Sequence, residues 1–434
     1  MNIAILGFDV EGRASYDYFA AQGHQLTICD QNPELQVPDG IPVVLGDTYL
    51  DDLDRFDLLV RTAGLPPAKI LEKNPGVANK ITTHINEFFK VSPTKHIIGI
   101  TGTKGKGTTS TLVTKMLDAT GQQVRLGGNI GVPPLTFLSE LTPDSWVVLE
   151  LSSFQLIDLK YSPHIAVCLM VVPEHLNWHS DLDEYIAAKS RLFVHQTPED
   201  KAIYFAENDL SKRIASAGDG QKITYYAAPG TVVEDGAIRI DGQEICQTSA
   251  LKLLGAHNWQ NVCAAVTAVW QVTQDIGAMR SVLTSFSGLE HRLELVRELD
   301  GVRYYDDSFG TTPETAIVAI QAFVEPKVVI LGGADKGVSY EGLAGIVAKS
   351  NIRKVLLIGE QAPRIQAALE QAGFTNFMPG GGNMAEIVAT VQAQAQPGDI
   401  VLLSPACTSF DMFKNYKERG VQFSQAVQAL STTV

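Results

Sequence analysis

No uncharged apolar run in this sequence reaches the roughly 18 residues that a membrane-spanning helix requires, so no membrane partner is expected. Positive charge is also scarce: 34 Lys and Arg stand against 48 Asp and Glu, for a formal net charge of -14. A protein that tracks nucleic acid needs a basic surface to displace counterions, so no nucleic-acid partner is expected and any phosphate must be met locally. The five cysteines (Cys29, Cys168, Cys246, Cys263, Cys407) are odd in number, and none stands in C-x-x-C spacing. They read as reduced thiols of a cytoplasmic protein. The opening Met1 to Gly7 lacks a basic flank, and Asp9 and Glu11 follow at once, so it reads as a buried strand and not as a signal peptide. Internal repeats and low-complexity tracts are absent from the sequence.

What is present is ordinary globular composition, with 45% apolar residues, 37 Gly and 20 Pro over 434 residues. That length exceeds what one growing core supports and predicts two or three domains. Short apolar runs alternate with amphipathic stretches. Asn2 to Gly7, Gln25 to Cys29, Pro42 to Leu45 and Leu58 to Val60 read as strands of a parallel sheet. A second start, Lys95 to Ile100, runs straight into a Gly-rich turn; strands at Trp146 to Leu151 and Ile165 to Val171 follow, with a polar hairpin insertion around Val233 to Cys246. A third series begins near Gly301 and carries Lys327 to Leu331, Lys354 to Ile358 and Ile400 to Leu403 as buried strands, with a helical tail from Phe410 to Thr433. The expected fold is α/β in three domains: an N-terminal Rossmann-like domain (1–93), a central P-loop ATPase-like parallel sheet (94–297) and a C-terminal Rossmann-like domain (298–434).

Between strand and helix stands Gly102-Thr103-Lys104-Gly105-Lys106-Gly107-Thr108-Thr109. Glycines let successive backbone N–H groups turn toward one anion, the helix N-terminus adds partial positive charge, and Lys106 can reach terminal phosphates. A tight turn with surface lysines is the bland alternative; the preceding strand and the Gly-Lys-Gly-Thr order at the helix start favour the phosphate loop. Gly107 sits where such loops usually carry the magnesium hydroxyl, so Thr108 or Thr109 must supply it. Glu150 ends an apolar strand, where a hard oxygen ligand for magnesium belongs. Gly7-Phe8-Asp9-Val10-Glu11-Gly12 follows the first strand, but Asp9 replaces the central glycine of a dinucleotide motif and makes that signal weak. His175 by itself reads as a structural histidine, and Lys189 as a solvated helix lysine.

The loop is followed in order by Gly127-Gly128-Asn129-Ile130-Gly131-Val132-Pro133, Glu150-Leu151-Ser152-Ser153-Phe154-Gln155-Leu156, Glu174-His175-Leu176-Asn177-Trp178-His179 and Ala187-Ala188-Lys189. Then come Gly255-Ala256-His257-Asn258-Trp259-Gln260-Asn261, Gly288-Leu289-Glu290-His291-Arg292-Leu293-Glu294, Gly332-Gly333-Ala334-Asp335-Lys336-Gly337 and Ser404-Pro405-Ala406-Cys407-Thr408-Ser409-Phe410. This ordered set resembles the muramyl ligase family, and its glutamate-adding branch most. The resemblance implies a cytoplasmic, monomeric, ATP- and Mg2+-dependent ligase of peptidoglycan precursor synthesis. Its substrates would be UDP-N-acetylmuramoyl-L-alanine and glutamate, joined through an acyl-phosphate.

The resemblance also implies residue roles. Lys106, Glu150, His175 and Lys189 would be catalytic, with magnesium held by Thr108, Glu150, His175 and a carbamylated Lys189. ATP would lie on Gly102 to Thr109, with Asn258 and Asn261 near the adenine and Arg292 and Asp307 on the nucleotide. The UDP end would be held by Asp9, Val10, Glu11, Gly12, Asp30, Gln31, Gly64, Asn129, Ser152 and Gln155. The amino acid would meet Thr311, Lys336, Ser409, Phe410 and Tyr416. One motif departs: the family's N-D-S-K-A-T-N is here Asp306-Asp307-Ser308-Phe309-Gly310-Thr311-Thr312. A phenylalanine thus replaces a lysine near the incoming amino acid, and addition of L-glutamate or another amino acid is the alternative. A folate-type polyglutamate ligase would lack the first βα series, and a non-catalytic UDP-sugar sensor is the rival outside enzymes.

Overall fold

Strands of a parallel sheet covered on both faces read as continuous apolar runs, and the runs above become such strands. The computed structural model describes residues 1–37, 40–175, 178–253, 257–335 and 338–432, without the side chain of His257. They form two compact units, Met1–Phe286 and Ser287–Val434. In the first unit, β1 (Asn2–Leu6), β2 (Gln25–Asp30), β3 (Val43–Leu45), β4 (Leu58–Arg61) and β5 (Ile81–Thr83) make an all-parallel sheet in the order β3-β2-β1-β4-β5. The order reverses between β1 and β4. At such a point the loops leaving neighbouring strands part and open a crevice.

The second sheet is also parallel. Its strands are β6 (Ile97–Thr101), β7 (Val124–Gly128), β8 (Trp146–Glu150), β9 (Ile165–Cys168), β10 (Lys201–Phe205) and β11 (Gln221–Tyr225), in the order β11-β10-β9-β6-β8-β7. β6 lies at the divide, with β8 and β7 on one side and β9 to β11 on the other, so the loop after it opens onto the second crevice. The expected hairpin is a three-stranded antiparallel sheet, β12 (Val232–Glu234), β13 (Ala237–Ile240) and β14 (Gln243–Gln247). Its two connections are Asp235-Gly236 and Asp241-Gly242, all four residues at positive φ, the geometry that matches hairpin twist.

The second unit holds β15 (Glu294–Leu299), β16 (Val302–Asp306), β17 (Lys327–Gly332), β18 (Ile352–Ile358), β19 (Phe377–Pro379) and β20 (Ile400–Leu403), in the order β15-β16-β20-β17-β18-β19. Only β15 runs antiparallel. Alternation along the strands feeds two cores: Val329, Leu331 and Leu402 face one, Val328, Ile330 and Val401 the other, all fully buried. The α/β class is as expected, with a Rossmann-like sheet and the central parallel sheet in the first unit and a third, mostly parallel sheet in the second. The five cysteines are all buried and free, in keeping with reduced thiols.

Candidate active site

The loop after β6 is shaped by one glycine. Gly105 has φ +88° at the start of the helix Lys106–Ala119, and a Cβ there would stand 2.1 Å from Asn261 Oδ1. Any side chain would displace Asn261, so the glycine is required twice over. The same contact sets Asn261 against the loop, and its amide donates to Asn258 Oδ1 at 2.9 Å. Lys106 folds back, its Nζ donating to the carbonyls of Gly102 and Thr103 at 3.1 Å each. Thr103 is buried, its hydroxyl 2.8 Å from Tyr185 Oη. Lys104 is exposed and paired with Glu174 at 2.7 Å. Gly107 is buried and Thr108 half-buried; Thr109 is buried with a hydroxyl that has no partner among the described residues.

Lys189 differs from the solvated lysine that helix physics suggested. It leaves the helix Leu182–Ser190 on the side that also buries Tyr185, Ile186 and Ala188, and is 1% exposed. Its Nζ donates to Gly102 O at 2.9 Å and lies 4.6 Å from the Tyr185 ring centroid. Burial, and then the charge of Lys106, draw this ammonium down to about 7. Two lysines therefore converge on one loop carbonyl, that of Gly102.

Glu150 ends β8, adjacent to β6, and its carboxylate accepts from Asn129 Nδ2 at 2.7 Å. Asn129, expected on the UDP substrate, is thus fastened to the expected magnesium ligand. His175 has φ +59° and packs on Phe154, ring centroids 4.9 Å apart, with Nε2 3.5 Å from Glu174. Partial burial lowers its pKa, against the pull of Glu174. Phe154 carries Trp178 as well, at 4.4 Å, so the segment after Ser153 forms an aromatic wall.

The crevice of the first sheet is a cavity of about 420 Å³, lined by Asp9, Val10, Glu11, Asp30, Gln31 and Gly64. Gly12 plays a different part: a Cβ there would meet Gly7 O at 2.0 Å, so it lets the helix Val10–Ala21 close on the turn. Asp30 is committed to backbone, accepting from Phe8 N and Asn32 N at 2.8 Å each. Glu11 accepts from Ala63 N and from Gln155 Nε2, both at 2.7 Å, and Gln155 Oε1 accepts from Ser152 N at 3.0 Å. Four residues expected on the UDP substrate (Glu11, Gly64, Ser152, Gln155) are so brought into one neighbourhood. Thr62, Tyr49 and Lys69 also line the cavity and were missed. The available signal was the Gly64-Leu65-Pro66-Pro67 turn after β4, since a proline starts the helix that carries Lys69.

In the second unit, Asp307 is buried and accepts from Ser404 Oγ at 2.6 Å and Leu293 N at 3.2 Å. Burial pushes its carboxyl up to about 7. Arg292 is exposed, its guanidinium 5.6 Å from the Phe309 ring centroid. Tyr416 meets Phe309 edge-on at 5.3 Å, Ser409 is buried and Phe410 is 72% exposed. Thr311 donates its N–H to Phe309 O at 2.8 Å. Lys336 lies outside the described residues. Sequence reasoning also missed Arg419, which is fully buried and donates to Ser308 Oγ, Ser308 O, Cys407 O and Thr408 O at 2.9–3.3 Å. It ties the loop after β16 to the loop after β20.

Comparison with known proteins bears on the family and the fold. Residues 100–269 match the Mur ligase middle domain, and residues 291–407 match the Mur ligase glutamate ligase domain. The UDP-N-acetylmuramoylalanine--D-glutamate ligase of Symbiobacterium thermophilum is 37% identical over 99% of this chain and 98% of its own. That of Acetivibrio thermocellus is 35% identical over 99% and 96%. Among solved structures, UDP-N-acetylmuramate-alanine ligase MurC of Thermotoga maritima shares the fold at TM-score 0.57 and 16% identity over 99% of both chains. MurF ligase of the same organism, solved in complex with ADP, does so at TM-score 0.55 and 16% identity, covering 98% of this chain and 95% of that one. With two domain matches and full-length relatives above a third identical, this chain belongs to the Mur ligase family.

Proposed function

We propose that the chain is an ATP-dependent ligase that adds D-glutamate to UDP-N-acetylmuramoyl-L-alanine in peptidoglycan precursor synthesis, acting in the cytoplasm as a monomer. The observation that carries this reading is the convergence of Lys106 and Lys189 on Gly102 O, beside the strand end that presents Glu150. The reaction sets a carboxylate against an already anionic phosphate, so charge must be neutralised where the two meet. Lys106 at the helix start supplies mobile positive charge, and the turned backbone around Gly105 supplies fixed N–H dipoles.

The donor set fits Mg2+. Glu150 offers a carboxylate, Thr108 or Thr109 a hydroxyl, that of Thr109 being without a partner among the described residues, and His175 an imidazole. Lys189 is sealed from water, and burial favours its neutral amine, which can take up CO2 and become an anionic oxygen donor. When bound, the ion would screen the phosphate charge. The terminal carboxylate of the UDP-precursor attacks the γ-phosphorus, ADP leaves, and the amine of glutamate attacks the acyl-phosphate and expels phosphate.

On this reading residues 1–93 hold the UDP end, 94–297 the ATP, and 298–434 the amino acid. The crevice residues Asp9, Glu11, Gln31 and Gly64 face the nucleotide of the substrate, and Ser152 and Gln155 its peptide end. Asn258 and Asn261 serve the adenine, and Arg292 and Asp307 the nucleotide; Thr311, Lys336, Ser409 and Tyr416 serve glutamate. A second reading, addition of L-glutamate, is favoured by Phe309: losing the lysine removes a charged hydrogen bond commonly worth about 1.5–3 kcal/mol from the carboxylate pocket.

The test is ADP release with UDP-N-acetylmuramoyl-L-alanine while D-glutamate, L-glutamate and other amino acids are offered in parallel. Release that needs both the precursor and D-glutamate is expected. Preference for L-glutamate would select the second reading, and tight precursor binding without turnover would overturn both.

A further inference from the structure

We propose that Phe309 is a positioning residue for the nucleotide: its ring is the ledge on which the Arg292 guanidinium is held. The inference rests on the reading that Arg292 contacts ATP, and it assigns a role to the position where this chain departs from its family's lysine.

Arg292 sits in a strained turn, closed locally by His291 N donating to Glu294 Oε2 at 2.8 Å and Arg292 N donating to Leu289 O at 3.2 Å. His291 has φ +61° and Leu293 φ +46°, two non-glycine residues in the left-handed region that side chains avoid. The two residues flanking Arg292 are fastened to the end of β16 and the segment after it. His291 Nδ1 lies 2.7 Å from Asp306 Oδ2, Leu293 N donates to Asp307 Oδ1 at 3.2 Å, and Phe309 N donates to His291 O at 2.9 Å. Arg292 is the member between them, and its side chain is exposed. What meets its guanidinium is the Phe309 ring at 5.6 Å, inside the range of cation–π attraction.

The ring is itself held. Tyr416 abuts it edge-on at 5.3 Å and 86°, and Ser308, the residue before it, donates its hydroxyl to Tyr416 O at 2.8 Å. A lysine at 309 would set a second cation beside the guanidinium and push it away, where the phenyl face attracts it. Phe309 is 40% exposed, so its substitution leaves the core intact. Tyr416, on this account, supports the nucleotide side through Phe309.

The experiment measures the Kd of a nonhydrolysable ATP analogue with Mg2+ by calorimetry, and the KM of ATP and of glutamate in turnover, for wild type, Phe309→Ala, Phe309→Trp, Arg292→Ala and the double Arg292→Ala/Phe309→Ala. An exposed cation–π pair changes nucleotide affinity by about two- to fivefold. Phe309→Ala should weaken analogue binding and raise the ATP KM by that factor, and have no further effect on either once Arg292 is alanine; Phe309→Trp should bind as wild type. An unchanged Kd in Phe309→Ala, a rise confined to the glutamate KM, or additive effects in the double variant would overturn the inference. Should wild type release no ADP with any amino acid, the functional reading fails separately, and the analogue Kd still tests the ledge.

Discussion

At the scale of single residues, Lys189 is the point on which sequence physics and structure part. Its place on a helix put Tyr185 one turn away but said nothing of burial, because the loop after β6 that covers it arrives only through tertiary contact. Motif order found it; spacing could not. The assignment makes a chemical prediction: turnover falls in CO2-depleted buffer and recovers on addition of bicarbonate, while Lys189→Ala is inactive under both conditions, each read as ADP release. Lys106→Ala should likewise lose turnover and keep the fold, with an unaltered circular dichroism spectrum. Asp307 predicts a pH effect on stability. Its carboxyl is raised from 3.8 unfolded to about 7 folded, chiefly by burial, so the folded state binds the proton more tightly. Its contribution is present in full below pH 3.8 and is lost as pH rises through 7. Relative to Asp307→Asn, the wild type should lose melting temperature over that interval, and parallel profiles would count against a raised pKa.

At the scale of elements, apolar strands were legible inside the sheets and at one edge, Val43–Leu45, while several strands at or near other edges were not. Residues 3–6, 146–149 and 400–403 are unbroken apolar runs, and each lies in a strand that forms where expected. Lys201–Phe205 and Gln221–Tyr225 begin with polar residues that face solvent near the sheet edge, which hid them. The third strand of the insertion was announced by its second Asp-Gly pair. Loop positions were readable for Gly105, where glycine chemistry is visible in sequence, but Arg419 gave no sign that it would be buried. It begins two loops' worth of carbonyl contacts from the helix Tyr416–Gln428. Each buried carbonyl left unpaired costs about 1–3 kcal/mol, so Arg419→Ala should destabilise the second unit by roughly 3 kcal/mol or more. Arg419→Lys should recover only part, because one ammonium cannot reproduce the fork. Urea unfolding followed by tyrosine fluorescence decides it.

At the scale of the molecule, the first unit joins two sheets through an ion pair between a buried guanidinium and a half-buried carboxylate. Arg61 at the end of β4 is 1% exposed and bidentate to Asp158 at 2.6 and 2.7 Å, with further bonds to Thr62 O, Leu65 O and Phe154 O. The loop lining the first crevice and the aromatic wall near His175 are thereby held to one side chain. Removing one partner of a buried pair costs about 3–5 kcal/mol, so Asp158→Ala should lower melting temperature and raise the KM for the UDP-precursor together; a precursor KM that stays at the wild-type value would sever that link. The central claim concerns the other crevice, where loop, lysines and Glu150 gather anions at the end of β6. A crystal structure with a nonhydrolysable ATP analogue tests it most directly. The triphosphate is expected against the backbone of Gly102 to Gly105 with Lys106 Nζ on its terminal phosphates, and a triphosphate bound anywhere else would contradict the account.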